Sequence, residues 1–213
     1  MGQRTIGLAG AFALTVAPAV TLGAQELIDR LLAVVDGQII TLSDARGALA
    51  LGLLPSPPAG TDAIAIAMNR LIDRELMLRE VQRYLPPEPA QADIERRLAA
   101  IHTRFPDREA FEAGVAHAGF DGGRLADWIR NDLRIDAYLR ERFAFAGHLS
   151  DSEVDAYLQR HRIELMRDRT VAQALDEARR RLAAERQEAV VAEWLAGLRS
   201  RAEIIELYLA PQG

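Results

Sequence analysis

The chain has 213 residues, 49% of them apolar, enough to bury a real core in one domain or two small ones. Its 26 basic side chains, all arginine, face 31 acidic ones, and the resulting net charge of -5 gives no field that would gather nucleic acid or an anionic membrane. There is no cysteine, which excludes disulfides, zinc-thiolate sites and a cysteine nucleophile.

The first 24 residues read as a secretory signal: Arg4, an apolar run from Ile6 to Val16, then Pro18 and small residues. The run is too short to span a bilayer comfortably, so cleavage after Ala19 or Ala24 is expected, leaving an exported chain with no stable membrane insertion. "LLAVVDGQIITLSD" follows. Apolar β-formers flank Asp36-Gly37, the pair that supplies the positive φ angles of a tight hairpin turn. Ser43 then reads as the cap of a helix that starts at Asp44, runs to about Leu54 and stops at "PSPPAG".

From Asp62 to Leu85 the apolar positions (Ile64, Met68, Leu71, Ile72, Leu76, Leu78, Val81, Leu85) cover more than one stripe, which predicts a central helix buried on several sides. Ala90–Thr103 is a shorter helix with Ile94, Leu98 and Ile101 on one face. A fourth helix follows Pro106 and ends at Gly119, and a long one from "DGGRLADW" carries Leu125, Ile129, Leu133, Ile135 and Leu139. Ser150 to Glu153 is a capping box for a helix with Val154, Tyr157 and Leu158 on its apolar face. "HRIELMRDRT" (161–170) then lacks Gly, Pro and Asn, and reads as a short, partly packed extended bridge. The last helix, Val171 to about Ser200, places Val171, Leu175, Ala178, Leu182, Val190, Trp194 and Leu198 on its apolar side. Arg179–Arg181, interleaved with acids, reads as a solvated face laced with i,i+4 pairs. "EIIELYL" reads as a terminal strand. A lone hairpin is marginal in water, so this strand is expected to pair with "LLAVVDGQII" and bring the chain's ends together.

No reaction centre is legible. His102, His117, His148 and His161 lie on separate segments with neither an i,i+4 pair nor HExxH spacing, and there is no phosphate loop and no G-x-S-x-G, so no catalytic residue, metal or cofactor is expected.

Taken together, "LIDRLLAVVDGQIITLSDARGAL", "NRLIDRELMLREVQR", "FEAGVAHAGFDGGRLADWIRNDLRIDAYLRERF", "LSDSEVDAYLQRH" and the last helix and strand resemble, in that order, the SurA family of periplasmic chaperones. The resemblance covers nearly the whole mature chain and rests on the order of several loose motifs. It implies a mainly α fold, a SurA-N/trigger-factor-like helical module with a small sheet joining the hairpin and the C-terminal strand. The implied organisation is residues 25–162 as the N-terminal module, 163–170 as a bridge, and 171–213 as the helix and strand completing the module. It also implies a periplasmic holdase whose partners are unfolded outer-membrane proteins or other exported polypeptides. Family members usually carry parvulin-type prolyl isomerase domains before the last helix. Between Tyr157 and Val171 this chain has room for one short segment at about 3.3 Å per residue, so catalysis of X-Pro rotation over its barrier of about 18 to 20 kcal/mol is not expected. A divergent isomerase, or an envelope subunit that binds one folded partner, are the alternative readings. A holdase needs adaptable apolar contact, which directs attention to Phe143, Phe145, Met166, Trp128 and Met77 as client-binding residues. Phe143 and Phe145 stand out because they fall at a helix end beside Gly147.

Overall fold

The computed structural model describes residues 29–209, so the signal reading and its two cleavage positions lie outside the described residues. β1 (Leu31–Val35) and β2 (Gln38–Thr41) form the expected hairpin, with Asp36 at φ 44° and Gly37 at φ 88° in the turn. β3 (Ile204–Glu206) pairs antiparallel with the free side of β1, giving a three-stranded sheet of order β2-β1-β3. The closure is tight. The Asp36 amide donates to the Glu203 carbonyl at 2.8 Å, the Glu203 amide returns to the Asp36 carboxylate at 2.7 Å, and the Leu207 amide donates to the Leu32 carbonyl at 2.8 Å.

The rest is helical: α1 (Leu42–Ala50), α2 (Ala63–Tyr84), α3 (Gln91–His102), α4 (Arg108–His117), α5 (Gly122–Arg142), α6 (Asp151–Arg160), α7 (Arg162–Leu165) and α8 (Val171–Arg199). None of these helices is long and apolar enough to cross a membrane. Local chemistry sets most of the boundaries. Asp62 accepts from the Ile64 and Ala65 amides to start α2, and Ser150 with Glu153 forms the expected capping box of α6. The start of α1 differs from expectation. Thr41, the last residue of β2, is the cap and forms a capping box with Asp44, so the strand passes straight into the helix while Ser43 turns to Asp29. α1 also ends earlier than expected, because Gly52 at φ 62° reverses the chain.

The main core lies between the sheet and α2. Leu32, Ala33, Val35 and Ile40 pack on Ala67, Met68, Leu71, Ile72 and Leu76, with Leu198 of α8 closing one side. Further along α2, Leu78 and Val81 meet Ile135 and Tyr138 of α5, so α2 is buried on several sides as its pattern predicts. Leu85 does not continue that face. It terminates α2 in the left-handed region and is 76% exposed. Ionic contacts reinforce the same junction: Arg199 of α8 bonds Asp73 at 2.5 Å and the Asn69 carbonyl at 3.0 Å, and Arg79 bonds Asp36 and the Val35 carbonyl.

α8 divides its length. Its C-terminal half joins the main core through Trp194, Leu195 and Leu198, whereas Ala174 and Ala178 of its N-terminal half bury Val154, Tyr157, Leu158 and Leu165 of α6 and α7. The stretch 161–170 is a helical turn and not an extended bridge. The Leu165 amide reaches the His161 carbonyl at 2.9 Å, and Asp168 at φ 57° supplies the reversal, a conformation that aspartate tolerates better than most residues. Leu165 is fully buried, Met166 half-buried and Ile163 87% exposed, so the three apolar residues have three different fates. Val171, expected on the apolar side of α8, is exposed.

Two predictions follow from this packing. Ile72, fully buried under the sheet, should cost about 2 to 5 kcal/mol when changed to Ala, read from the midpoint shift in urea unfolding. The Glu153 carboxylate accepts from the Ser150 amide and from Arg186, and these bonds hold it at about 2, below its ordinary 4.5. Its stabilising contribution is therefore complete above the ordinary value and lost as pH falls toward 2. Glu153→Gln should lower stability at neutral pH and flatten the stability–pH curve over that acidic window, measured by thermal unfolding across pH.

Candidate functional site

An apolar cleft of about 590 Å³ lies between α3, α4 and the start of α5. Ile94 and Ile101 point into the core with Val115, Phe120, Leu125 and Ile129. Leu98, expected on that same buried face, is left half-exposed, and with Ala99, His102, Phe111 and Ala116 it lines the opening.

The cleft walls are held from α1. Gly47 lies so close to the Ala118 carbonyl and the Phe120 ring that a Cβ there would overlap the carbonyl oxygen, and this approach fixes the end of α4. Gly114 likewise seats the Phe105 ring, whose edge meets Phe111 with centroids 5.5 Å apart. Arg104 donates to the Gly52 carbonyl at 2.8 Å, tying the α3–α4 connection to the end of α1. Arg124 lies over the Phe120 ring at 4.6 Å and bonds Asp44 at 2.6 Å, which pins the start of α5 to the start of α1.

The carboxylates at the rim already have partners. Asp121 accepts from the Arg124 amide at 2.7 Å as the cap of α5, and Glu112 pairs with Arg108 at 2.6 Å, a hydrogen bond that raises the Arg108 guanidinium above its ordinary value. The His102 ring rests against Phe111 at 5.0 Å. The surface offered to a ligand is thus mostly hydrocarbon and aromatic edge, suited to taking up apolar side chains. Among the described residues, no group of His, Asp and Glu is arranged to hold a metal ion.

A second groove, about 450 Å³, runs between α2, α5 and α8. Met77, Ile135, Leu139 and Leu195 line it, beside the Arg74–Asp132 pair at 2.8 Å. Arg74 also lies over the Trp128 ring at 3.8 Å, and the Trp128 indole N–H donates to Asp132 at 2.9 Å. Burial pushes the Asp132 carboxyl up, against the opposing pull of Arg74. This closed network fixes α2 against α5, and Arg97 and Asp136 line the groove beside its apolar wall.

The five residues singled out from sequence are not brought to one surface. Met77 lines the second groove and Trp128 borders it through Arg74, while Met166 packs on the α6–α8 cluster. Phe143, expected at a less buried helix end, is 7% exposed because Trp194 of α8 covers it, the two rings 5.6 Å apart. Phe145 is 60% exposed. It ends a run of rings through Phe143, Trp194 and Tyr138 to the exposed Tyr84, with neighbouring centroids 5.4 to 6.3 Å apart. Sequence reasoning missed the cleft residues Leu98, His102, Phe111, Val115 and Phe120. The available signal was the apolar spacing of "FEAGVAHAGF", in which Val115 and Phe120 are buried and Phe111 is left half-buried at the opening.

Gly47→Ala should force α4 away from α1 and destabilise the protein by about 1 to 3 kcal/mol, measured by urea unfolding.

No family model matches this chain, and no curated protein matches it.

Proposed function

We propose that this chain is a periplasmic holdase of the SurA type, which binds unfolded outer-membrane or other exported polypeptides without catalysis or nucleotide. The observation that carries this reading is the open cleft between α3, α4 and α5: half-exposed Leu98 and Phe111 line it, and its rim carboxylates are already engaged by Arg108 and the Arg124 amide. Such a site gains affinity from burying client side chains, at about 25 cal/mol per Å² removed from water, and places little demand on client sequence. Charged helical faces elsewhere, such as Arg96–Asp93 and Arg180–Glu177, suit a carrier that must stay soluble while loaded. The order of motifs that resembles the SurA family supports the same reading, as does a C-terminal strand that returns to the N-terminal hairpin.

The test is suppression of aggregation of an unfolded porin diluted from urea, followed by light scattering over a range of molar ratios. Suppression is expected near stoichiometric amounts. Filling the cleft with Ala116→Trp, on the exposed wall of α4, should weaken client binding roughly tenfold, or about 1.4 kcal/mol, with the helical circular dichroism unchanged. Unaltered scattering at excess wild-type protein would sink the reading.

A further inference from the structure

The helices α6 and α7 hold a position unlike the rest of the molecule. Their apolar residues form a cluster of their own with the N-terminal half of α8, separate from the core under the sheet. The α8 side of that cluster is thin: its buried members are Ala174 and Ala178, with Leu175 and Leu182 half-covered.

Beside this apolar contact, which buries Val154, Tyr157, Leu158 and Leu165, runs a row of charged cross-links along the seam. Arg179 reaches Asp151 at 2.7 Å, Arg181 reaches Glu164 at 2.6 Å, and Arg186 reaches Glu153 at 2.5 Å. The Tyr157 hydroxyl donates to Glu185 in the same row, and Arg186 also bonds the His148 carbonyl at 3.3 Å. The partners in these ion pairs stand in contact with solvent, so their attraction falls as ionic strength rises. The segment is bounded by Gly147, at the end of a 3-10 turn before α6, and by Asp168, in the left-handed region after α7. The C-terminal half of α8 has an independent anchorage through Leu198, Trp194 and the Arg199–Asp73 pair.

We propose that α6 and α7 form a strap that undocks from α8 as a unit, under the control of ionic strength, while the remainder of the fold stays closed. Undocking exposes matching apolar faces: Val154, Tyr157, Leu158 and Leu165 on the strap, and Ala174, Ala178 and Leu182 on α8. The inference does not depend on the proposed activity. It gives a physical role to the arginines of α8, which cross-link two elements as well as solvate one.

The experiment is hydrogen exchange by mass spectrometry on the full chain, at about 20 mM and about 500 mM NaCl, where the screening length falls from roughly 20 Å to about 4 Å. Amides of 151–165 are expected to exchange at least roughly tenfold faster than those of α2 and of 187–199, with the gap widening severalfold at high salt. Arg181→Gln, which removes the link to Glu164, should reproduce the high-salt pattern at low salt. Arg180→Gln, whose side chain bonds Glu177 within α8, should leave 151–165 unchanged. Exchange of 151–165 in step with α2, at both salt concentrations, would overturn the strap, as would equal effects of the two substitutions. Should Arg181→Gln lower protection in α2 as well, the salt series on the unaltered chain decides alone.

Discussion

A two-stranded hairpin has too little buried surface to persist alone in water, and the fold is organised around meeting that requirement. The hairpin at the start of the described chain obtains its third strand from residues 204–206, at the other end. This long-range pairing makes β1 the central strand and covers its backbone on both sides. It then lets Leu32, Ala33 and Val35 bury fully against α2, the helix on which α1, α5 and α8 also lie. The polar contacts of Arg79, Arg199 and Tyr208, whose hydroxyl donates to the α2 cap Asp62, reinforce the same assembly, joining the hairpin, α8 and the residues after β3 to α2. Their energy is modest one by one, but each closes a junction that hydrophobic burial has already formed.

The cleft follows from how α3, α4 and α5 attach to that base. Gly47 permits α1 and the end of α4 to touch backbone to backbone, and Arg104 and Arg124 hold the two flanks to α1. With the walls tied to α1, the apolar surface of α3 and α4 that remains has no further element to meet. The contrast lies at the far end of α5. There Trp194 covers Phe143, and Arg142 lies between 5.5 and 5.9 Å from Tyr138, Phe143 and Trp194, so an equally aromatic region is filled. In the second place a covering helix, α8, fills the site.

α8 shows the same division along a single helix. Its C-terminal half is anchored by Leu198 and Arg199 in the main core, while its N-terminal half presents alanines to α6 and α7 beside a row of ion pairs along the seam. A long helix of this kind can serve two bodies of unequal stability, because helical backbone bonds persist along its length whatever each half packs against.

Much of this was legible from the residues, and the legible part is local. Asp36-Gly37 determines a tight turn by its φ angles, Ser150 and Glu153 determine a helix start by reciprocal hydrogen bonds, and the spacing of apolar residues determines which side of α2 is buried. Even the return of the C-terminal strand follows, since the hairpin is unstable without it. Periodicity states which residues share a face, but it does not state whether another element covers that face. That is why Leu98 lines an open cleft, Phe143 lies buried under Trp194, and Ile163 and Leu165, two residues apart, end in solvent and in the core. The arginines of α8 follow the same logic. Their i,i+4 neighbours were visible in the sequence, whereas Asp151, Glu153 and Glu164 became their partners only when α6 and α7 folded back alongside.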